Sequence, residues 1–201
     1  MRKLVQAGVA AAALLLAGAA HAEPSASQVE MLSFTCAGCH GPGGMSVGPA
    51  SPSIAGLSVE YFIYAMEGYR DDKIPATVMN RIAKGYSDEQ IRDMATYFSK
   101  QEFSSPRQDT DRKLVRRGEK VHQEACATCH ADSGKTFDQD MPRLGGQWLT
   151  YIEYTMTDYF RYSRPIPRGK GTALRNFARA RNSEEMAADI QALAHFYASQ
   201  K

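Results

Sequence analysis

The 201-residue sequence has little of several things. Past its N-terminal end it has no apolar run of about 18 residues, the length a membrane-crossing helix needs, so no transmembrane segment is expected in the mature chain. Glycine (16) and proline (9) are too few for a fibrous protein. Neither sign of charge dominates, with 24 Lys and Arg against 22 Asp and Glu. A balance this even gives no basic surface for nucleic acid. With 43% of residues apolar and 23% charged, the chain is not disordered. No stretch alternates apolar and polar residues as a half-buried strand would. No Ser/His/Asp set or carboxylate pair calls for hydrolytic chemistry. Cysteine is scarce too, at four residues.

Residues 1–22 read as an export signal. Arg2 and Lys3 form the positive end, Leu4 to Ala20 is mostly Ala, Leu and Val, and Ala20-His21-Ala22 supplies a small-residue cleavage site. The alternative is an uncleaved anchor. With cleavage after Ala22, the mature protein starts at Glu23 in the periplasm and keeps 22 charges of each sign.

All four cysteines fall in one pattern: Cys36-Ala37-Gly38-Cys39-His40 and Cys126-Ala127-Thr128-Cys129-His130. In an exported protein four cysteines would by default make two disulfides. A C-x-x-C pair can also be a redox dithiol or half a zinc site. Here each pair is followed at once by His, and C-x-x-C-H is the attachment signal of c-type haem. Two thiols about one helical turn apart can add to the two vinyl groups of a porphyrin. The next residue then offers an imidazole to the iron. Two covalently bound haem c groups are therefore expected, on Cys36 and Cys39 and on Cys126 and Cys129. His40 and His130 are the expected iron ligands.

The chain repeats itself. The motifs are offset by 90 residues, and the same offset carries Pro52, Ile54 and Gly56 onto Pro142, Leu144 and Gly146. It also carries Tyr61, Tyr64, Met66 and Tyr69 onto Tyr151, Tyr154, Met156 and Tyr159, and Pro75 onto Pro165. The C-terminal segments match at an offset of 99, so the second copy has gained nine residues. A fixed period argues for one structural unit used twice. The polar stretch Ser99 to Lys113 suits a boundary, giving units at 23–105 and 106–201.

Each copy reads as helices around a cofactor. A first helix is expected over Ser27 to Ala37, with Arg112 to Ala127 as its partner. An aromatic helix is expected from about Ser58 to Tyr69, and a last one opens at Ser87, where Ser87 and Gln90 have capping-box spacing. Ile91, Met94, Ala95 and Phe98 form its apolar stripe. A unit of about 80 residues has a marginal core by itself, which a porphyrin can supplement.

Four methionines could face the first iron. Met45 is too near His40 in sequence to round the porphyrin, and Met66 and Met94 occupy ordinary helical core positions. Met79 lies in the connector after Pro75 and is the expected sixth ligand, with packing as the alternative. Met/His ligation suits electron transfer and raises the reduction potential.

The mature chain resembles the dihaem cytochrome c subunits of flavocytochrome c sulfide dehydrogenases and, more distantly, the dihaem cytochromes c4. The resemblance is carried by Cys36 to Gly41, Ser46 to Ala55, Met66-Glu67-Gly68-Tyr69, Met79 to Ser87 and Phe196 to Gln200. Gly145-Gly146-Gln147 followed by Tyr151 is shared with the wider cytochrome c4-like group. It implies an all-α protein of two tandem class I cytochrome c domains, each wrapped around one covalent haem. It also implies a flavoprotein sulfide dehydrogenase subunit as electron donor; a soluble electron acceptor is expected as the second partner. The chain is then no enzyme by itself. A free shuttle to a terminal oxidase and a haem peroxidase are the alternatives.

The repeat breaks at the second iron. The fixed offset pairs Met79 with Gly169, and the related subunits carry an axial Met in this connector. Aligning Ser163-Arg164-Pro165 places Lys170 there, and no Met occurs between Met156 and Met186. Lys170 is the first candidate for the sixth ligand, as a neutral amine. Open coordination and a displaced Met remain alternatives, as does a simple solvated charge. His122 and His195 match Leu32 and Thr96 and are expected to pack or lie at the surface. The recurring tyrosines are expected to form helical core, to bond haem propionates or to meet between units. Trp148 could hold a propionate or pack. Residues 23–105 hold 6 basic and 10 acidic groups and residues 106–201 hold 16 and 12, so the chain is neutral but dipolar.

Overall fold

A computed structural model describes residues 24–139, 141–161, 164–165 and 171–201. The expected export signal and Lys170 lie outside the described residues. Among those described there is no strand, only an isolated antiparallel bridge between Asp138 and Met141.

The first half contains α1 (Ala26–Phe34), a single turn α2 (Ala37–His40), α3 (Val59–Arg70), a short α4 (Met79–Ala83) and α5 (Asp88–Ser99). The second half contains α6 (Arg112–Ala125), α7 (Leu149–Phe160), α8 (Gly171–Arg179) and α9 (Ser183–Ser199). Side-chain caps fix several starts. Ser25 and Ser87 close full capping boxes with Gln28 and Gln90, Ser58 accepts from Tyr61 N, and Asn182 boxes with Glu185. Each such cap contributes about 1 kcal/mol.

Two expectations change. The first helix stops at Phe34 rather than running to Ala37, because the Thr35 hydroxyl turns back onto the Leu32 carbonyl at 2.7 Å. The connectors before the last helix of each unit, to which the sequence pattern assigns no helix, each contain one, α4 and α8. Asn80 steadies the first of these: its side chain donates to the carbonyls of Tyr69 (2.8 Å) and Ile74 (2.9 Å) and accepts from Ala76 N.

Each half has its own buried cluster. Phe62, Met66, Ala83, Ile91, Met94, Ala95 and Phe98 make the first, which includes the stripe read from α5. Val121, Ile152, Phe177, Leu193, Ala194, Phe196 and Tyr197 make the second. Burying each large side chain contributes about 1.5–3 kcal/mol. In the second half α6 and α9 cross at Gly118, where a Cβ would stand only 2.1 Å from the Ala192 carbonyl oxygen. Buried Asp189 on α9 joins them further, accepting from Arg117 of α6 at 2.7 Å and from Arg181 at 2.5 Å.

The halves are joined by hydrogen bonds as well as by the chain. Gln147 pairs with both backbone groups of Ser53. The Trp148 indole donates to the Ser46 carbonyl at 3.1 Å and lies flat on Gly48, where a Cβ would meet it at 2.3 Å. Gly48 also has φ +67, which suits glycine. Trp148 therefore serves the junction. Gln108, in the helix-free stretch between α5 and α6, ties that stretch to the second half through Gln147 O and Leu149 N, both at 2.9 Å.

Candidate haem-attachment sites

No disulfide joins any of the four cysteines. In each motif one backbone turn brings the residues together: His40 N donates to Cys36 O and His130 N to Cys126 O, both at 2.9 Å. That turn presents two sulfurs and an imidazole in the order a covalently attached porphyrin requires. A redox dithiol would need a depressed thiol pKa. Burial instead pushes the Cys36 and Cys126 thiols up. Among the described residues no three His, Cys, Asp or Glu side chains converge as a zinc site would require.

His40 is set for metal binding. Its Nδ1 lies 2.8 Å from the Pro52 carbonyl oxygen. That oxygen can only accept, so Nδ1 carries the proton and Nε2 keeps its lone pair. Backbone carbonyls commonly orient metal-binding histidines this way. Burial lowers the pKa of His40, favouring the neutral ligating form, while the Pro52 bond opposes this. His130 Nδ1 is likewise buried. The residues present thus fit a haem at each motif.

Met79 opens α4 and is half-buried against the cluster that Cys36 also borders. Val78 and Ile82 flank it, 51% and 40% exposed, and Phe34 near Cys36 is 53% exposed. An apolar macrocycle would suit these open faces. Met66 and Met94 are core residues, 6% and 0% exposed. In the second half Met156 and Met186 both pack on the cluster that Cys126 borders. Met141 instead pairs its backbone with Asp138.

His195 accepts from Asp111 N at 3.1 Å beside the start of α6. His122 is fully buried, 3.0 Å from the Tyr197 hydroxyl, and its ring packs against Phe196. Packing or a surface place was expected for it; its polar partner was not. The tyrosines meet between the halves: Tyr61, Tyr69, Tyr151 and Tyr159 share one surrounding with Arg164. Burial is the largest cause raising the pKa of Tyr61 well above its usual value, and it pushes Tyr151 up to about 12. Arg164, 7% exposed, was not singled out by sequence.

No protein-family model matches the chain. Cytochrome c4 of Pseudomonas aeruginosa is 32% identical over 153 residues, 72% of this chain and 75% of that protein. The cytochrome subunit of sulfide dehydrogenase of Chlorobaculum tepidum is 43% identical over 102 residues, 45% of this chain and 92% of that subunit. The crystal structure of reduced cytochrome c4 from Pseudomonas stutzeri superposes with a TM-score of 0.74 at 26% identity, covering 89% of this chain and all of that one. A helical protein of class I cytochrome folds, repeated motifs ready for covalent attachment and a match along most of the chain agree: this chain belongs to the cytochrome c4 family of dihaem electron-transfer proteins and carries two covalently bound haem c groups.

Proposed function

We propose that the chain is a periplasmic carrier that takes electrons singly from the flavin of a sulfide dehydrogenase and passes them to a soluble acceptor. In this reading Cys36 and Cys39 hold one haem and Cys126 and Cys129 the other. His40 and His130 bind the irons, and Met79 completes the first. The bound groups supply reversible one-electron chemistry. The protein fixes their separation, excludes water and sets their potentials through ligands, hydrogen bonds and burial. The single observation that carries the site is His40 Nδ1 on the Pro52 carbonyl at 2.8 Å, which leaves Nε2 for the iron.

The donor is inferred from the 43% identity to the Chlorobaculum tepidum subunit, over about half of this chain. A second reading, a free shuttle to a terminal oxidase, is favoured by the match to cytochromes c4 along most of the chain. None of these relatives supports the peroxidase alternative.

Anaerobic mixing tests the choice. The oxidised holoprotein is given sulfide alone, then sulfide with a flavoprotein sulfide dehydrogenase subunit, and the haem absorption is followed. Fast reduction that requires the flavoprotein supports the first reading. No acceleration by it, with rapid reoxidation by an oxidase preparation, supports the second. Native protein that co-purifies with flavin would point the same way as the first outcome.

A further inference from the structure

Arg164 occupies an unusual place. It is more than nine-tenths buried, at the junction of the halves. Around it stand Tyr61 and Tyr69 of α3 and Tyr151 and Tyr159 of α7, which are two pairs related by the repeat. Its guanidinium donates to the Tyr69 hydroxyl at a long 3.5 Å and lies 5.3 Å from the Tyr159 ring centroid. A guanidinium has five N–H donors. Among the described residues no carboxylate pairs with it. Each phenol can donate its O–H, and the Tyr69 oxygen already accepts from the guanidinium. A buried charge of this kind is stable only when paired, and a guanidinium with no carboxylate partner among the described residues, set in a box of hydroxyls free to donate, suits an anion.

The repeat sharpens the point. The residue of the first half that matches Arg164 is Ile74, buried and apolar. A symmetric set of four tyrosines therefore holds one asymmetric charge. Tyr69 packs on the buried cluster that Cys36 and Met79 also touch, and Tyr151 on the one that Cys126 touches, so each pair of tyrosines shares a core with one attachment motif.

We propose that Arg164 is a shared counter-charge for propionate carboxylates of both haems, so that one side chain of the second half sets the potential of both irons. The inference rests on haem attachment at both motifs. It does not depend on which donor or acceptor the protein serves.

Potentiometric titration of the holoprotein tests it, with Arg164→Ile, which copies the matching residue of the first half, and Arg164→Gln, which keeps size and polarity. Removing a nearby positive charge favours the ferric state, so both midpoints should move down in either variant. Arg164→Lys should restore most of each shift. Haem content and the Met-ligation spectrum of the first haem should stay unchanged, which separates this result from failed attachment. A shift confined to the second haem, or none, overturns the proposal. So do parental midpoints that respond to added phosphate or acetate at constant ionic strength, because a free anion would then fill the box. If neither uncharged variant assembles, redox-difference infrared spectra of the parental and Arg164→Lys proteins decide. Carbon-13 in the haem carboxylates should shift bands that differ between the two proteins, and bands identical in both overturn the idea.

Discussion

Gln147 closes a two-point contact on Ser53: its Oε1 accepts from Ser53 N and its Nε2 donates to Ser53 O, each at 2.9 Å. Both residues are buried, and the pair joins the two halves across 94 residues of sequence. The repeat counterpart of Gln147 is Leu57, so the amide belongs to the junction rather than to the haem-binding unit. Gln147 also positions Trp148, whose backbone N–H donates to the same Oε1 at 3.1 Å.

Gln147→Leu should therefore uncouple the halves. It strands a buried N–H and a buried C=O, a loss of about 2–6 kcal/mol at about 1–3 kcal/mol for each unsatisfied group. Denaturant unfolding of the holoprotein should split into two transitions, each half retaining its haem. A single transition at the parental midpoint would rule out this role.

Gly118→Ala should destabilise the second half alone. The added Cβ would meet the Ala192 carbonyl at 2.1 Å and the Phe196 side chain at 2.7 Å, and α6 cannot withdraw without opening the crossing. Overpacking of this kind costs about 1–3 kcal/mol. Melting followed at probes in each half should fall for the second and hold for the first. An unchanged second half would mean that the crossing relaxes freely.

Much of this was legible in sequence. The capping boxes at Ser87 and the apolar stripe through Phe98 follow from local rules, and the paired C-x-x-C-H motifs declare their cofactor without any tertiary information. Arg164 was not legible. A lone arginine before a proline reads as solvated, and it becomes buried only when α3 and α7 bring four tyrosines together. His122 was half legible: its register with Leu32 allows packing or exposure, but the hydroxyl of Tyr197 that receives it lies 75 residues away. α4 escaped notice because it is short and its ordering comes from the Asn80 side chain rather than from apolar periodicity.

His122 makes stability depend on pH. Burial lowers its pKa below the usual 6.5, with Glu119 opposing. The unfolded chain thus takes up a proton at a higher pH than the folded one, so this group is neutral to stability well above pH 6.5 and destabilising as pH falls through it. Stability should therefore drop as pH falls through and below about 6.5, the unfolded value. His122→Leu, which copies Leu32 of the first half, should flatten that drop in melting curves taken across the range. An equally steep drop in the variant would assign it to other groups.

Met79→Leu keeps the apolar contact with the first cluster and removes the sulfur. If Met79 binds the first iron, one of the two haems should lose its Met-ligated signature in magnetic resonance and its potential should fall, because Met ligation raises it. The other haem should not change. Two unaltered haems would return Met79 to a packing role.

The second iron should differ from the first. Ser87 and Asn182 cap corresponding helices, and counting back eight residues from each pairs Met79 with Leu174. Leu174 cannot bind iron, so this register offers no sixth ligand from within α8. Lys170, just before α8, remains our first candidate, acting as a neutral amine. The competing sources are an open position and a thioether from Met156 or Met186, both packed beside the cluster at Cys126. Two spectroscopically distinct haems are expected, the second at the lower potential. Lys170→Met should raise that potential and leave the first unmoved. Met156→Leu and Met186→Leu should move neither. Two equivalent His/Met irons in the unmodified protein would exclude Lys170 and assign the ligand to a methionine, and the two leucine variants would then show which one.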